Sequence, residues 1–157
     1  MGSNVFVTRA YSGTYTALFC KLGYVGLDWF NRDPIKEGWD LTDKIYLKKQ
    51  YREHDSRISE RSLSIKIGQL LKFINDIKIN DIVICPYSDG SLLIGKIKSD
   101  LYFSNDKTSP FCWRRKVNWI KPKINRSNFS KELQFALRSS LIIYKIKQSE
   151  EIINSIK

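Results

Sequence analysis

The sequence contains a single histidine, His54, and three cysteines, Cys20, Cys85 and Cys112, that stand far apart in the chain. No two cysteines have the CxxC spacing of a zinc site, and three is not the even number that a disulfide framework needs. A catalytic Cys–His pair remains open only if folding brings one of these thiols to His54. The pattern predicts buried thiols in an intracellular, cytoplasmic protein with no metal site, no cofactor and no catalytic residue.

Long apolar stretches are also absent. No run is long enough to cross a membrane, and the N-terminal segment lacks the features of a signal peptide, so no membrane partner is predicted. The Asp/Glu-x-Lys pattern of metal-dependent nucleases does not occur in a strand context. The sequence therefore predicts a binding protein and not an enzyme.

Acidic residues are scarce in one long segment. Residues 107–138 contain nine basic side chains and one acidic side chain, Glu132, within a chain of formal net charge +11. Such clustering predicts a polyanionic partner, and nucleic acid is the main class of this kind. A solvated surface rich in lysine accounts for the charge equally well, so charge alone leaves both interpretations open.

The strongest strand signals lie in residues 77–120. Short apolar runs rich in β-branched residues, at 82–85 and 92–97, flank a turn segment at 86–90 that contains Pro, Asp and Gly. A third run, 113–120, alternates aromatic, basic and apolar side chains. Three successive strands with a basic, aromatic rim predict a small β-barrel that holds a planar, anionic ligand such as a nucleotide.

The other elements follow one another in an α+β order within a single domain, residues 1–157. Residues 62–76 predict the clearest helix, because apolar side chains recur there every three or four positions. Residues 50–61 carry charges of mixed sign and predict an exposed connection. The remaining predicted strands are residues 5–7, 24–27 and 141–146, and the remaining predicted helices are residues 14–22, 40–47 and 128–137. An amphipathic tail from Gln148 predicts a connection to a further segment, as in the N-terminal part of a longer protein.

Two segments resemble those of YTH domains. Residues 6–12, Phe-Val-Thr-Arg-Ala-Tyr-Ser, resemble the YTH strand and loop in which a basic residue and a Tyr-Ser pair precede a short helix. Residues 113–120, Trp-Arg-Arg-Lys-Val-Asn-Trp-Ile, resemble the YTH segment in which a cage tryptophan leads into a strand ending in Trp-Ile. The layout also resembles EVE and other PUA-like domains. This resemblance implies an α+β, PUA-like (EVE/YTH-like) fold: a bent β-sheet or open β-barrel flanked by helices.

The chain is also similar to the N-terminal domains of Mrr- and McrB-type modification-dependent restriction proteins. Those domains often contain, in order, Val-x-Arg-Ala, Gly-x-x-Trp, a Gly-Asp strand entry and Arg-x-Val-x-Trp. The counterparts here are residues 7–10, 26–29, 80–81 and 115–119. Asparagine replaces the glycine of the strand entry, and residues 34–61 have no clear counterpart, which leaves the mouth of a pocket undefined.

The function that this resemblance implies is recognition of a modified, in particular a methylated, base in DNA by base flipping into an aromatic cage. The domain would then be the targeting module of a modification-dependent restriction or phage-defence system, with a fused or separate nuclease or NTPase effector as partner. RNA or modified RNA is the alternative ligand, because PUA-like domains serve both nucleic acids and no motif here reports on 2′-hydroxyl contacts.

The resemblance also implies site residues, to which Asp28 is added as an acceptor for a base N–H group. The predicted base-binding residues are Tyr11, Ser12, Asp28, Trp29 and Trp113. The predicted phosphate-binding residues are Arg9, Arg114, Arg115, Lys121, Lys123 and Arg126. For Trp119, on an alternating strand, the sequence favours core packing. Trp39 fits either the core or the site.

Overall fold

A curled, half-barrel mixed sheet forms the centre of the fold, and helices flank it. The computed structural model describes residues 3–157. Within that range the sheet has seven strands. They are β1 (Val5–Thr8), β2 (Tyr24–Leu27), β3 (Ile82–Pro86), β4 (Leu92–Ile97), β5 (Tyr102–Phe103), β6 (Trp113–Ile124) and β7 (Ile143–Ile146).

The strand order is β2-β6-β4-β3-β1-β7, and β5 pairs with β6. Strands β1 and β3 are parallel, whereas the other neighbours are antiparallel. Because parallel strands need a long crossover, the chain between β1 and β3 carries a strand and most of the helices. These helices are α1 (Thr16–Leu22), α2 (Lys44–His54) and α3 (Glu60–Leu71), which continues into a π-helical turn, Lys72–Asp76.

Alternate side chains of the central strands enter two separate cores, because successive side chains of a strand point to opposite faces. On one face, Phe6 and Val83 pack in a large core with residues of α1, α2 and α3. On the other face, Val7 and Ile84 pack with α4 (Lys131–Ala136) and α5 (Ser149–Ser155). Covering both faces explains why every residue of β1 and β3 is buried.

Strand β6 is 12 residues long and connects the two halves of the sheet. Its first part pairs with β2 and its second part with β4, with register shifts on either side of Ile94. Gly95 of β4 permits a close approach of the Trp119 ring of β6 there, because a Cβ at this position would lie 2.7 Å from that ring. The Trp119 indole donates a hydrogen bond to the Phe19 carbonyl at 2.9 Å. Trp119 packs against the core, as the sequence predicted.

The α+β class, the helix within residues 62–76 and the strands of the central segment are confirmed. The exposed connection predicted for residues 50–61 is wrong over most of its length. Helix α2 covers its first five residues, and α3 begins after Ser59, whose hydroxyl accepts from the Ser62 backbone N–H. Leu47 and Tyr51, four residues apart in α2, are both buried and fix this helix on the core.

Candidate nucleic-acid interface

The loop after β1 holds Tyr11 and Ser12 in the left-handed region of backbone space, with φ values of 52° and 56°. Gly13 follows at φ 95°, and a Cβ there would overlap the backbone of Ser88 in the β3–β4 hairpin. This contact clamps the loop against the hairpin. Non-glycine residues in left-handed conformation store strain that the surrounding structure must hold, so the position of Tyr11 is fixed by its environment.

Tyr11 exposes 42% of its surface although it lies on an aromatic cluster. Its ring centroid is 5.4 Å from that of Tyr15 and 5.4 Å from that of Phe111. The Phe111 ring is in turn 4.8 Å from that of Phe19, in the core. Tyr11 is therefore an exposed ring supported from below by buried rings.

Asp28 and Trp29 follow the end of β2. Asp28 is half-buried, and burial raises the pKa of its carboxyl, which a backbone hydrogen bond, Lys66 and His54 only partly offset. Trp29 is largely buried, with the Lys66 ammonium 4.9 Å from its ring centroid. The same ammonium lies 4.8 Å from the Tyr51 ring and donates to the Tyr51 hydroxyl at 2.8 Å. Lys66 therefore covers one face of Trp29 in a cation–π contact.

The segment just before β6 connects Tyr11 to Asp28. Phe111 packs against the Tyr11 ring and also against Gly26 of β2, where a Cβ would lie 2.9 Å from the Phe111 Cβ. Cys112 comes next, and the antiparallel pairing of Leu27 with Trp113 places Asp28, just after β2, opposite this residue. Tyr11 and Asp28 thus flank residues 111–112. We call the four side chains Tyr11, Ser12, Asp28 and Trp29 the Asp28 surface.

Trp113 is not part of this surface, which corrects the prediction that it forms a cage wall with Trp29. Trp113 is 1% exposed and stacks on Phe30 at 5.1 Å with an interplanar angle of 28°. Trp39 approaches it edge-on at 5.6 Å, and the Trp113 indole donates to the Arg32 carbonyl at 2.9 Å. Phe30 and Trp39 fill the space that a base would need beside Trp113. Both belong to the core.

Arg114 is also buried, contrary to its prediction as a phosphate-binding residue. Its guanidinium forms a bidentate ion pair with Asp106 at 2.7 and 2.9 Å, and its Nε donates to the Phe111 carbonyl at 2.6 Å. The guanidinium carbon lies 4.3 Å from the centroid of the Tyr24 ring. Hydrogen bonds from Arg114 hold the pKa of the Asp106 carboxyl well below its usual range. All of these interactions are internal, so Arg114 is a structural residue.

Arg115 is a second correction of the same kind. It is 2% exposed, and its Nη1 donates to the Phe73 and Ile74 carbonyls at 3.1 and 3.5 Å. Both carbonyls belong to the π-helical turn after α3, where the widened helix leaves such groups available. Burial lowers the pKa of the Arg115 guanidinium. Arg115 therefore joins β6 to that turn and has no surface for a phosphate.

The other predicted phosphate-binding residues lie at the opposite end of the sheet from that turn. Arg126 donates from Nε to the Gly90 carbonyl at 2.9 Å and lines a cavity of about 290 Å³ together with Lys123. Lys123 is exposed and pairs with Asp89 at 2.9 Å. Lys121 is half-buried on β6. In residues 3–157 no carboxylate lies within ion-pair distance of Arg9 or Arg126.

The structure describes little that suggests chemistry at sulfur or metal. Within residues 3–157, no group of three or more His, Cys, Asp or Glu side chains is placed to hold a metal ion. Over the same range no hydrogen bond joins His54 to a cysteine. Cys85 is buried, and burial raises its pKa to about 12. None of the helices in that range has the length and apolar character needed to cross a membrane.

Sequence reasoning missed the residues that support the Asp28 surface, namely Lys66, Tyr51 and Phe111. Lys66 and Tyr51 lie on two different helices, and only tertiary packing brings them to Trp29. Phe111 stands two residues before β6, and the resemblance to YTH domains directed the prediction to Trp113, the first residue of that strand, instead. No local pattern in the sequence identifies these three contacts.

Comparison with known proteins gives a family and no function. No curated protein matches the chain. One family model, described as "Domain of unknown function (DUF8426)", matches residues 14–144. The match covers Asp28, Trp29 and Arg126 and most of the sheet. Because it spans well over half of the sequence, the chain belongs to the DUF8426 family.

Proposed function

We propose that this domain is a PUA-like (EVE/YTH-like) reader that binds DNA and recognises an extruded, methylated base at the Asp28 surface. In this proposal the domain binds and does not catalyse. It serves as the targeting module of a modification-dependent restriction or defence system, and a nuclease or NTPase is its effector partner.

The observation that carries this proposal is the exposed ring of Tyr11. An aromatic side chain with 42% of its surface exposed, held in a strained backbone conformation on buried rings, is a rigid stacking platform. Stacking of a base on such a ring contributes about 1–3 kcal/mol, which offsets part of the cost of extruding the base from a duplex.

Asp28 supplies hydrogen-bonding capacity beside that platform. Its half-buried carboxylate can accept a hydrogen bond from a base N–H, and burial raises its pKa. Trp29, beneath Lys66, forms the apolar floor next to Asp28. Moving Lys66 aside would open the indole face to a methyl group, which gains from contact with an apolar surface. Ser12 adds a hydroxyl in the same loop as Tyr11.

Charge and fold add support of a more general kind. The net charge of +11 favours a polyanionic ligand, and Arg9, Lys121, Lys123 and Arg126 are the predicted phosphate-binding residues that the structure does not bury fully. A curled, half-barrel mixed sheet flanked by helices is compatible with the open barrel of PUA-like domains. Both features fit a domain that holds the backbone by charge and one base by its rings.

Fluorescence anisotropy with matched oligonucleotides tests the proposal. The ligands are a duplex with one methylated base, the same duplex without the methyl group, and a single-stranded RNA of the same sequence. Wild-type protein is expected to bind all of them at low salt and to prefer the methylated duplex. No binding to any of the three at low salt would refute a nucleic-acid function, and a preference for the RNA would refute the choice of DNA.

The matched variants are Tyr11→Gly and Phe135→Ala. Glycine removes the ring at a position where its left-handed backbone is unstrained, so the fold is expected to be preserved while the methyl preference is lost. The affinity for the methylated duplex should fall by about 1–3 kcal/mol. Phe135, 71% exposed on α4, is an aromatic residue outside the Asp28 surface, and its replacement should leave the preference intact. Equal effects of both variants would show that Tyr11 is not the platform.

A further inference from the structure

A cavity of about 500 Å³ lies beside the beginning of β1, at the edge of the sheet that β7 forms. A volume of this size is within the range of pockets that bind small organic molecules. Phe6, which belongs to the core, lies at its base. The polar side chains around it are Asn4, Lys72, Asn75, Asp76, Lys78 and Lys145. The cavity shares no residue with the Asp28 surface, whose Tyr11 and Ser12 follow the other end of β1.

Three lysines from three parts of the fold line this cavity. Lys72 is half-buried, whereas Lys78 and Lys145 are exposed. Lys145 pairs with Phe6 across β7 and β1, so both side chains lie on the same face of the sheet. In residues 3–157 no carboxylate is within ion-pair distance of any of the three ammonium groups. Since Asp76 is the one lining residue of opposite charge, the cavity favours an anion.

A buried carboxylate fixes two walls of the cavity in place. Asp81 is 6% exposed, and one of its oxygens accepts from the Asn4 backbone N–H at 3.1 Å. Its other oxygen accepts from the Lys78 backbone N–H at 2.8 Å. Asn4 and Lys78 are far apart in the sequence, and these two hydrogen bonds hold their backbones together at the cavity. The site is therefore preformed on this side.

The π-helical turn Lys72–Asp76 supplies the opposite wall. From the core side, Arg115 donates to two carbonyls of this turn, as described above. The Asn75 side chain donates from Nδ2 to the Leu41 carbonyl at 3.0 Å, which keeps its Oδ1 as an acceptor for a ligand. Helical turns of this kind are rare and occur frequently at functional sites. A turn held by a buried guanidinium and facing a cavity is consistent with a binding role.

We propose that this cavity binds a phosphate monoester, with Lys72, Lys78 and Lys145 as the phosphate-binding residues. Such a group carries a charge of about −1.5 to −2 at neutral pH and offers three acceptor oxygens, one for each ammonium group. A carboxylate, with two oxygens and a single charge, engages only part of this set.

The cavity also indicates the size of the ligand. Since one water fills about 30 Å³ of liquid volume, a phosphate ion alone leaves most of the 500 Å³ to solvent. The rest of the ligand therefore occupies the space beside Asn75 and Asp76, whose side-chain oxygens accept from hydroxyl or amino groups. A nucleoside 5′-monophosphate, free or at the end of a strand, has this chemistry. This site does not depend on the proposed recognition of a modified base.

Calorimetry and melting temperature, in a buffer without other oxyanions, test the site. The probes are the ribonucleoside 5′-monophosphates, the corresponding nucleosides, and inorganic phosphate. At least one monophosphate should bind more tightly than inorganic phosphate and raise the melting temperature, since a ligand that binds only the folded state stabilises it. The nucleosides should bind about tenfold more weakly or not at all. No binding of any monophosphate at millimolar concentration would overturn the proposal.

Single glutamine substitutions remove one ammonium group at a time. Lys72→Gln and Lys145→Gln should each weaken monophosphate binding about tenfold, the loss expected for one charge-assisted hydrogen bond. Their melting temperatures without ligand should not fall, because neither lysine has an ion pair to lose. Lys131→Gln is the matched control, since it removes one positive charge at an exposed position of α4, on the other face of the sheet. An equal loss in this control, or wild-type affinity in both cavity variants, would contradict the site.

Asp76→Asn should act in the opposite direction. Removing the one opposing charge in the cavity should strengthen the binding of inorganic phosphate, by up to about fivefold. A substitution that merely disturbed the cavity would weaken binding instead. Weaker phosphate binding in Asp76→Asn would therefore contradict an anion site at these residues.

Two single-stranded oligonucleotides, one with and one without a 5′-phosphate, distinguish the sources of the ligand. Tighter binding of the phosphorylated form, lost in Lys145→Gln, would assign the site to the end of a strand. Equal binding of both forms by a protein that binds a free monophosphate would assign it to a free nucleotide. Monophosphate binding without any binding of duplex DNA would support this site and refute only the proposed function. Tyr11→Gly should leave monophosphate affinity unchanged in every case.

Discussion

Two groups of arginines in this domain show how partners, and not charge, decide what a basic residue does. Arg114 and Arg115 are buried and have carboxylate or carbonyl acceptors inside the protein. Arg9 and Arg126 are less buried, and neither has a carboxylate at ion-pair distance within residues 3–157. The first pair stabilises the fold, whereas we propose that the second pair binds the phosphates of an external ligand.

The largest expected effect belongs to Arg115→Ala. The substitution leaves the Phe73 and Ile74 carbonyls without their donor and opens a cavity between β6 and the π-helical turn. The free energy of unfolding should fall by about 2–4 kcal/mol. Denaturant unfolding measures this, and nucleic-acid binding of the folded fraction should be unchanged. A stable Arg115→Ala protein with weakened DNA binding would reverse the assignment of the two groups.

Two glutamine substitutions, one in each group of arginines, sharpen the comparison because each removes the same single positive charge. Arg126→Gln should lower the slope of log affinity against log salt concentration by about one unit, since one phosphate contact is lost. Arg114→Gln should leave that slope unchanged and instead lower the melting temperature, because Arg114 contacts Asp106 and not the ligand. Anisotropy titrations at several salt concentrations, at a temperature where both variants are folded, measure the slopes. The same slope change in both variants would show that burial does not separate the groups.

Of these substitutions, Asp28→Asn is expected to change the stability least. It extends the comparison from buried positive charges to a half-buried negative charge. Because burial raises the pKa of Asp28 above its ordinary value of 3.8, the folded state binds the proton more tightly than the unfolded state does. The contribution of Asp28 to stability therefore increases as pH falls from the raised pKa towards 3.8. The asparagine variant should be slightly more stable at neutral pH and should lack this pH dependence. Melting temperatures between neutral pH and pH 4 measure it. A wild type and a variant with parallel profiles would contradict the raised pKa.

Much of the sheet could be predicted from the sequence because its central strands are short apolar runs rich in β-branched residues and the hairpin between β3 and β4 has clear turn chemistry. Strand β5 could not be predicted, since two residues, Tyr102 and Phe103, carry no periodicity. The second half of α2 was missed because its charged residues outnumber Leu47 and Tyr51, the two that bury. Local patterns predict a helix or strand well where many of its residues are apolar and buried. They predict it poorly where, as in α2, only two residues are buried.

The site was harder to predict than the fold. Alternation implies that neighbouring residues on β6 point to opposite faces, and one of the two is usually exposed. Here Asp106 and the Tyr24 ring cover Arg114, while the π-helical turn covers Arg115. Those covering groups come from distant parts of the chain, so no local pattern distinguishes these arginines from Arg126. Trp113 was misassigned for the same reason, because Phe30 and Trp39 reach it only through the fold.

The place of β1 in the sheet has a consequence for biosynthesis. Its two neighbours are β3 and β7, so Val5 pairs with Ile82 on one side and with Ile146 on the other. A strand made first therefore waits for partners made much later, and its second edge closes only when β7 has emerged from the ribosome. Such long-range pairing makes folding slow and leaves an apolar strand exposed in the nascent chain. Productive folding of this domain is thus expected to finish only after β7 has been synthesised, and truncation before β7 should yield aggregating and not merely destabilised protein.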